Sequence, residues 1–126
     1  MKIVLAVLIF ALLAAPAVFG TEQEVLSPGE LRKAFADNPK AAESKYLGNV
    51  VQVRGVVVSR GMSKYLTPSV ILSDRENEES QAICVLPRLD VGKLTDFTPG
   101  QTVIMSGKVY HLSERAIVIK ECKAVK

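Results

Sequence analysis

The 126-residue chain has no tryptophan, one histidine, two cysteines, four phenylalanines and three tyrosines. Each shortage removes a class of function. One histidine (His111) and two distant cysteines (Cys84, Cys122) do not supply the ligands of a zinc site. Scarce rings leave little for bases to stack on, and single-strand nucleic-acid binders need aromatic platforms beside a basic groove. The formal net charge of +3, which falls to +2 without Lys2, is not the strong basicity of a dedicated nucleic-acid binder. Glycine-rich phosphate loops, paired-carboxylate signatures and nucleophile elbows are missing. Ser113 stands near His111 in "HLSER" but has no third partner, so turn chemistry explains it. In "DRENEES", Asp74, Glu76, Glu78 and Glu79 could hold a cation weakly, but a run of acids in one turn reads as a solvated hairpin tip. The expectation is a non-enzyme that uses neither cofactor nor metal.

What is present begins with "MKIVLAVLIFALLAAPAVFG". A basic start at Lys2, an apolar run broken by Pro16, and small residues at Ala17 and Gly20 are the layout of a secretory signal peptide over 1–20. Cleavage after Gly20 or after Ala17 fits, and removal of Lys2 lowers the net charge by one. The apolar stretch is short for a membrane span, and Pro16 disfavours a continuous helix. The chain is therefore expected to be exported, to a periplasmic or extracellular place, with one domain over 21–126 and no integral span after cleavage. Export makes a disulfide chemically available to Cys84 and Cys122, which allow a single intramolecular pairing. Two buried free thiols are the alternative.

After the polar lead-in "TEQEVL", "SPGE" has the form of a helix start. Ser27 caps, Pro28 suits the first position and Glu30 completes a capping box. Leu31, Ala34 and Phe35 make an apolar stripe. Asn38-Pro39 restarts a second turn with Ala42 and Tyr46 four apart, and Gly48 ends it. A broken helical segment over 28–47 follows, with Phe35 and Tyr46 expected to pack inward. From there the period becomes two. Val51, Val53, Gly55 and Val57 share one parity of a strand over 49–59. "SRGMSKYLTPS" reads as a loop, then "VILS" and "QAICVL" as strands. Pro87 stops the third strand, a helical turn spans 91–97, and Pro99-Gly100 turns the chain. "QTVIMSGKVY" and "AIVIKE" are the last strands, with His111 in the turn between them.

Five strands with a helical connection between the third and fourth suggest a mainly β chain: a five-stranded OB-fold barrel with an N-terminal helical segment. One recurrence supports it. "GNVVQVRGVV" and "GQTVIMSGKV" each carry two glycines at the same spacing, Gly48 with Gly55 and Gly100 with Gly107. Glycine inside a strand marks a bend or a close backbone approach, so Gly55 and Gly107 are expected where strands one and four coil most tightly.

The stretch "LRKAFADNPKAAESKYLGNVVQVRGVVVS", followed by "ICVL", "GQTVIMSGKV" and "IVIKEC", resembles the tRNA_anti-like family of bacterial OB-fold proteins. The resemblance rests on Asn38, Ala41, Ala42 and Tyr46, then Val51, Val53 and Gly55. It continues at Cys84, Gly100, Val103, Gly107 and Cys122. Many relatives resemble lipoproteins; this chain lacks the lipobox cysteine, so that anchoring is not implied. The implied topology sets strand three beside strand five, which brings Cys84 and Cys122 onto neighbouring strands and favours a disulfide. OB-folds bind through strands two and three and the loops flanking them. The candidate ligand-binding residues are then Arg54, Arg60, Lys64, Tyr65, Arg75, Lys108, Tyr110 and His111. The expected function is a non-catalytic exported binding module for a protein, peptide or glycan partner in the cell envelope. A binder of single-stranded nucleic acid and a purely structural or inhibitory domain are the alternatives.

Overall fold

The computed structural model describes residues 24–63, 66–75, 81–112 and 116–125. Residues 1–20, and with them the expected signal peptide, lie outside these. The elements in chain order are β1 (Val25–Leu26), α1 (Pro28–Asp37), α2 (Pro39–Tyr46), β2 (Val50–Met62), β3 (Pro68–Ser73) and β4 (Gln81–Val85). A 3-10 connection (Arg88–Asp96), β5 (Thr102–Leu112) and β6 (Ala116–Ala124) complete them. Strands β2 to β6 pair in the cyclic order β2–β3–β4–β6–β5 and back to β2, which closes an OB-fold barrel.

The long strand β2 makes closure work by changing partners along its length. Val50–Val56 pairs with β5, whereas Val56–Met62 pairs with β3. One strand thus serves two walls. This leaves the β3-side edge of its first half open, and β1 covers that edge in parallel at Gln52 and Val53. The lead-in expected to be merely polar is therefore an edge cover, and Leu26 is buried. A register shift between Val57 and Ser59 carries β2 past the expected loop start. Ser59 to Met62 and Pro68 to Ser69, read from sequence as loop, are strand, because β2 and β3 keep pairing out to Met62 opposite Pro68. His111 is likewise in β5, opposite Val118, and not in a turn.

The two glycine-marked segments lie against each other as antiparallel partners. Gly55 faces Val103 and Gly107 faces Val51, so the two segments exchange under the local two-fold axis of the ladder. The hydrogen bonds repeat under it too. Gly48 N–H donates to the Val109 carbonyl at 2.7 Å, and Gly100 N–H to the Val57 carbonyl at 2.8 Å. Val109 N–H returns to Asn49 and Val57 N–H returns to Gln101. Gly48 and Gly100 have φ of 79° and 93°, a left-handed turn that a Cβ disfavours. Gly55 and Gly107 serve the other purpose. A Cβ at Gly55 would stand 2.9 Å from Leu72 Cβ and from the Ser73 carbonyl oxygen. At Gly107 it would meet Ile119 Cγ2 at 2.6 Å and the Lys120 carbonyl oxygen at 2.8 Å. These are the close approaches the strand glycines imply.

The helices plug one end of the barrel. Ser27 Oγ accepts from Glu30 N–H and Glu30 Oε1 accepts from Ser27 N–H, the capping box read from sequence. Asn38 Oδ1 caps α2 through Ala41 N–H. Leu31 and Phe35 of α1 and Ala42 and Tyr46 of α2 are buried in the core, and the Phe35 and Tyr46 rings lie 6.2 Å apart. Asp74, expected in a solvated turn, instead accepts from Gly29 N–H at 2.8 Å. A carboxylate from the end of β3 thereby meets the positive end of α1 and ties helix to barrel. Glu76, Glu78 and Glu79 lie outside the described residues.

Three stability outcomes follow. Gly55→Ala and Gly107→Ala each lower unfolding free energy by about 1–3 kcal/mol, because backbone and packed side chains must move. Gly61→Ala in the same strand, with nothing within 4 Å of the added carbon, stays near neutral. Asp74→Ala costs roughly 0.5–2 kcal/mol as a lost helix cap. Urea titrations monitored by circular dichroism measure all four variants.

Candidate binding surface

The outward side chains of β3 and β4 form the face that OB-folds ordinarily present to ligands. Backbone register sets what stands there. Ser59, Ile71, Ile83, Val118 and His111 are consecutive cross-strand partners over β2, β3, β4, β6 and β5. The middle three are half-buried aliphatics in one row, and His111 and Ser59 close its exposed ends. Ser69 beside Val85 starts the next row. Leu66, at 67 % exposure, flanks this face in the β2–β3 loop, with Met62 exposed near it. Among the described residues such a surface offers branched hydrocarbon, with the His111 imidazole at one end of the row.

Charge gathers on another wall. On the outer side of β5 and β6, Lys108 stands directly opposite Lys120, and Lys123 opposite Ser106. Arg54 of β2 projects from the adjoining strand opposite Ile104. Like charges set face to face across a ladder oppose folding. Tyr110 relieves part of this, since Lys120 Nζ lies 3.8 Å from its ring centroid. The described strands of the barrel carry Arg54, Arg60, Lys108, Lys120 and Lys123 against one carboxylate, Glu121.

The sequence-derived candidates thus separate. Lys108 and Tyr110 lie beside Lys120 on the basic wall, Arg54 lies farther along it opposite Ile104, and His111 ends the aliphatic row. Arg60 Nη1 donates to the Phe97 carbonyl, which turns it toward the barrel end as a structural tie between β2 and the segment after the 3-10 connection. Arg75 follows β3 at the bend, where its carbonyl accepts from Ser73 Oγ. Lys64 and Tyr65 lie outside the described residues. Sequence reasoning passed over Lys120 and Lys123. Simple alternation along β6 would put Lys123 inside with Ile117 and Ile119. Glu121, at φ 55°, breaks that alternation.

A groove of about 780 Å³ was also missed. It opens between the 3-10 connection, the start of β5 and the end of β6. Leu86, Phe97, Val103 and Val125 give it an apolar lining, and Arg54, Lys93 and Lys123 with Asp90 and Asp96 a rim of mixed charge, Lys93 Nζ lying 3.8 Å from Asp90 Oδ1. It exists because the Arg88–Asp96 segment buries none of its own residues, and Leu89 is 97 % exposed. The barrel end is sealed by Leu86 and Phe97 on either side of that segment instead. The groove lies away from the aliphatic row, so cavity size and fold precedent point to different places. Among the described residues, no three His, Cys, Asp or Glu side chains gather as metal ligands, and no helix is long and apolar enough to cross a membrane.

The tRNA_anti-like family profile matches residues 1–123. The chain belongs to the tRNA_anti-like family. No curated protein matches it. Among solved structures it is similar to a lipoprotein of Klebsiella pneumoniae subsp. pneumoniae MGH 78578 proposed to bind nucleic acid. The identity is 21%, the TM-score 0.65, and the match covers 82% of this chain and 92% of that one. A Leishmania major protein proposed to be an aspartyl-tRNA synthetase matches at 16% identity and TM-score 0.52. That match covers 90% of this chain and 23% of the Leishmania chain. At these identities the likeness shows the fold.

Lys120→Ala is expected to leave the barrel folded and to change stability by less than about 1 kcal/mol, because the lost ring contact and the lost Lys108 repulsion offset each other. Thermal melts at low and high salt check this; a larger loss would mean that the Tyr110–Lys120 contact is a structural clamp.

Proposed function

Since the tRNA_anti-like OB-fold is a binding module, we propose that this chain is a non-catalytic exported module that engages a protein or peptide partner in the cell envelope. The observation that carries the reading is the Ile71–Ile83–Val118 row. Three adjacent strands present branched aliphatic side chains, half exposed, on the face the fold uses for recognition. Aliphatic surface gains by burial against another apolar surface, at roughly 25 cal/mol per Å². The three aliphatic side chains themselves give a base or a sugar ring nothing to stack on. A glycan, the third partner class considered at the sequence level, is favoured less for that reason. The export half of the reading rests on the N-terminal pattern and on the likeness to a lipoprotein.

Two measurements test it. Intact-mass analysis of the chain expressed whole in a bacterial host is expected to find a mature protein beginning at Thr21 or Val18; a full-length cytoplasmic product sinks the export half. For the binding half, partners cross-linked to the tagged mature chain are compared with those of Ile71→Glu and Ile83→Glu. Both variants are expected to keep the wild-type circular dichroism spectrum and lose the partner. Retention of every partner by both variants removes the aliphatic row from the function.

A second reading is favoured by one specific feature, the basic wall. Lys108 and Lys120 beside Tyr110, with Lys123 and Arg54 farther along the same wall, suit a phosphate backbone, which fits a binder of single-stranded nucleic acid. This reading requires salt-sensitive binding. Losing each phosphate contact lowers the log–log salt slope by about 0.7. Lys108→Glu with Lys120→Glu is therefore expected to reduce the slope by roughly 1.4. An oligonucleotide whose mobility is unchanged at low salt by micromolar protein eliminates the reading.

A further inference from the structure

Cys84 and Cys122 are both free and both fully buried. They stand inward on the paired strands β4 and β6, and Cys122 is the neighbour with the largest effect on the Cys84 thiol. Nothing in ordinary strand geometry would bring them together. Cys84 is the parallel partner of Ile119, so regular alternation from Ile117 and Ile119 would turn Glu121 inward and Cys122 outward. The fold reverses that. Lys120 and Glu121 are both exposed in succession, Glu121 takes a φ of 55°, and Cys122 is returned to the interior. Left-handed backbone is unfavourable for a residue with a Cβ, so this inversion is held at an energetic cost. A second adjustment serves the same sulfur. A Cβ at Gly107 would lie 2.9 Å from Cys122 Sγ, so the glycine leaves the space the thiol fills. Cys122 Sγ also donates to the Ile119 carbonyl at 3.3 Å, which fixes its direction across the bulge.

A small apolar residue would fill the same volume without needing a partner sulfur. From the inverted phase at Glu121, the vacated space at Gly107 and the burial of both thiols on the paired strands β4 and β6, we propose that Cys84 and Cys122 are joined by a disulfide when the barrel folds in the presence of a disulfide oxidant. The bond staples the end of β6, which lines the groove, to β4. The chemistry balances as an exchange. One cysteine thiolate displaces a thiolate from the oxidant, glutathione disulfide, and forms a mixed disulfide. The second cysteine, after losing its proton, attacks the protein-side sulfur and releases the second glutathione. Two protein thiols lose two protons and two electrons, and one glutathione disulfide becomes two glutathiones.

The timing follows from burial. In the closed barrel the hydrogen bond with Cys122, and then desolvation, hold the Cys84 thiol well above its ordinary 9.0. A protonated and inaccessible thiol is a poor nucleophile. The exchange therefore precedes barrel closure, and the completed bond is shielded afterwards. The inference concerns the chain and an oxidant alone, and stands or falls separately from the export reading.

The test is oxidative refolding of the purified chain. Reduced, unfolded protein is diluted into a reduced/oxidised glutathione buffer, quenched with iodoacetamide in denaturant and weighed intact. The expected product carries no carbamidomethyl group and has lost two hydrogens. Reduced protein that has already folded is expected to stay unmodified by the same buffer for far longer. The disulfide form is expected to unfold at higher urea than the reduced form of the same chain. A native-like barrel that recovers two alkylatable thiols from the refolding buffer overturns the proposal. So does a disulfide form that unfolds at lower urea than the reduced one. Glu121→Gly, which relieves the left-handed residue without moving the bulge, is expected to form the bond to the same extent. Failure of that variant alone to cross-link also counts against the proposal.

Discussion

Close approach between neighbouring walls is the constraint on which the rest of this barrel depends. A sheet of five strands closes only where backbone can pass against backbone, and here that happens at two places related by one local two-fold axis. At Gly55 the chain passes against Leu72 and Ser73, and at Gly107 against Ile119 and Lys120. Each contact lies where one strand leaves one partner and gains another, or where the final strand bends. The glycines at the segment starts fulfil a different need, a left-handed turn that latches each end of the β2–β5 ladder by paired hydrogen bonds. Four glycines thus divide between conformational freedom and vacant space, two and two, and the same spacing arises because the axis exchanges the segments.

Closure then distributes chemistry over the surface. Once β2 pairs with β5 along its first half and with β3 along its second, every outward side chain has a fixed neighbour. The Ile71–Ile83–Val118 row and the Lys108–Lys120 pair are consequences of that register; no local sequence cluster contains either. The aliphatic face and the basic wall share β6, whose Val118 faces one and whose Lys120 faces the other. A partner that covered both would meet hydrocarbon flanked by cations. The groove beneath the 3-10 connection has a different origin, a connecting segment that leaves the barrel end to Leu86 and Phe97.

Much of the local structure was legible in the residues. The capping box at Ser27 and Glu30, the restart at Asn38-Pro39, the inward parity of Val51, Val53 and Val57 and the turn at Gly100 are short-range events, governed by a handful of adjacent side chains. Element ends were less legible. β2 and β3 run on through residues that look like a loop, because pairing with each other outweighs the polar character of Ser59 to Met62. Asp74 looked like one acid in a solvated run, since its partner, the N–H of Gly29, is 45 residues away. Arg60 looked like a ligand residue for the same reason: the Phe97 carbonyl it serves is distant in the chain.

By itself the sequence determined an all-strand cylinder preceded by two capped helical turns, because periodicity, caps and glycine placement are properties of neighbouring residues. It also determined the scarcity of rings. Only the tertiary structure decided which side chains share a surface. Two thiols meet because one left-handed glutamate reverses the phase of β6. Two lysines face each other because of ladder register, and a cavity opens because one connection lies too high to fill it. Those outcomes depend on strand partners remote in sequence, and the energy that selects them is defined only once the barrel has closed.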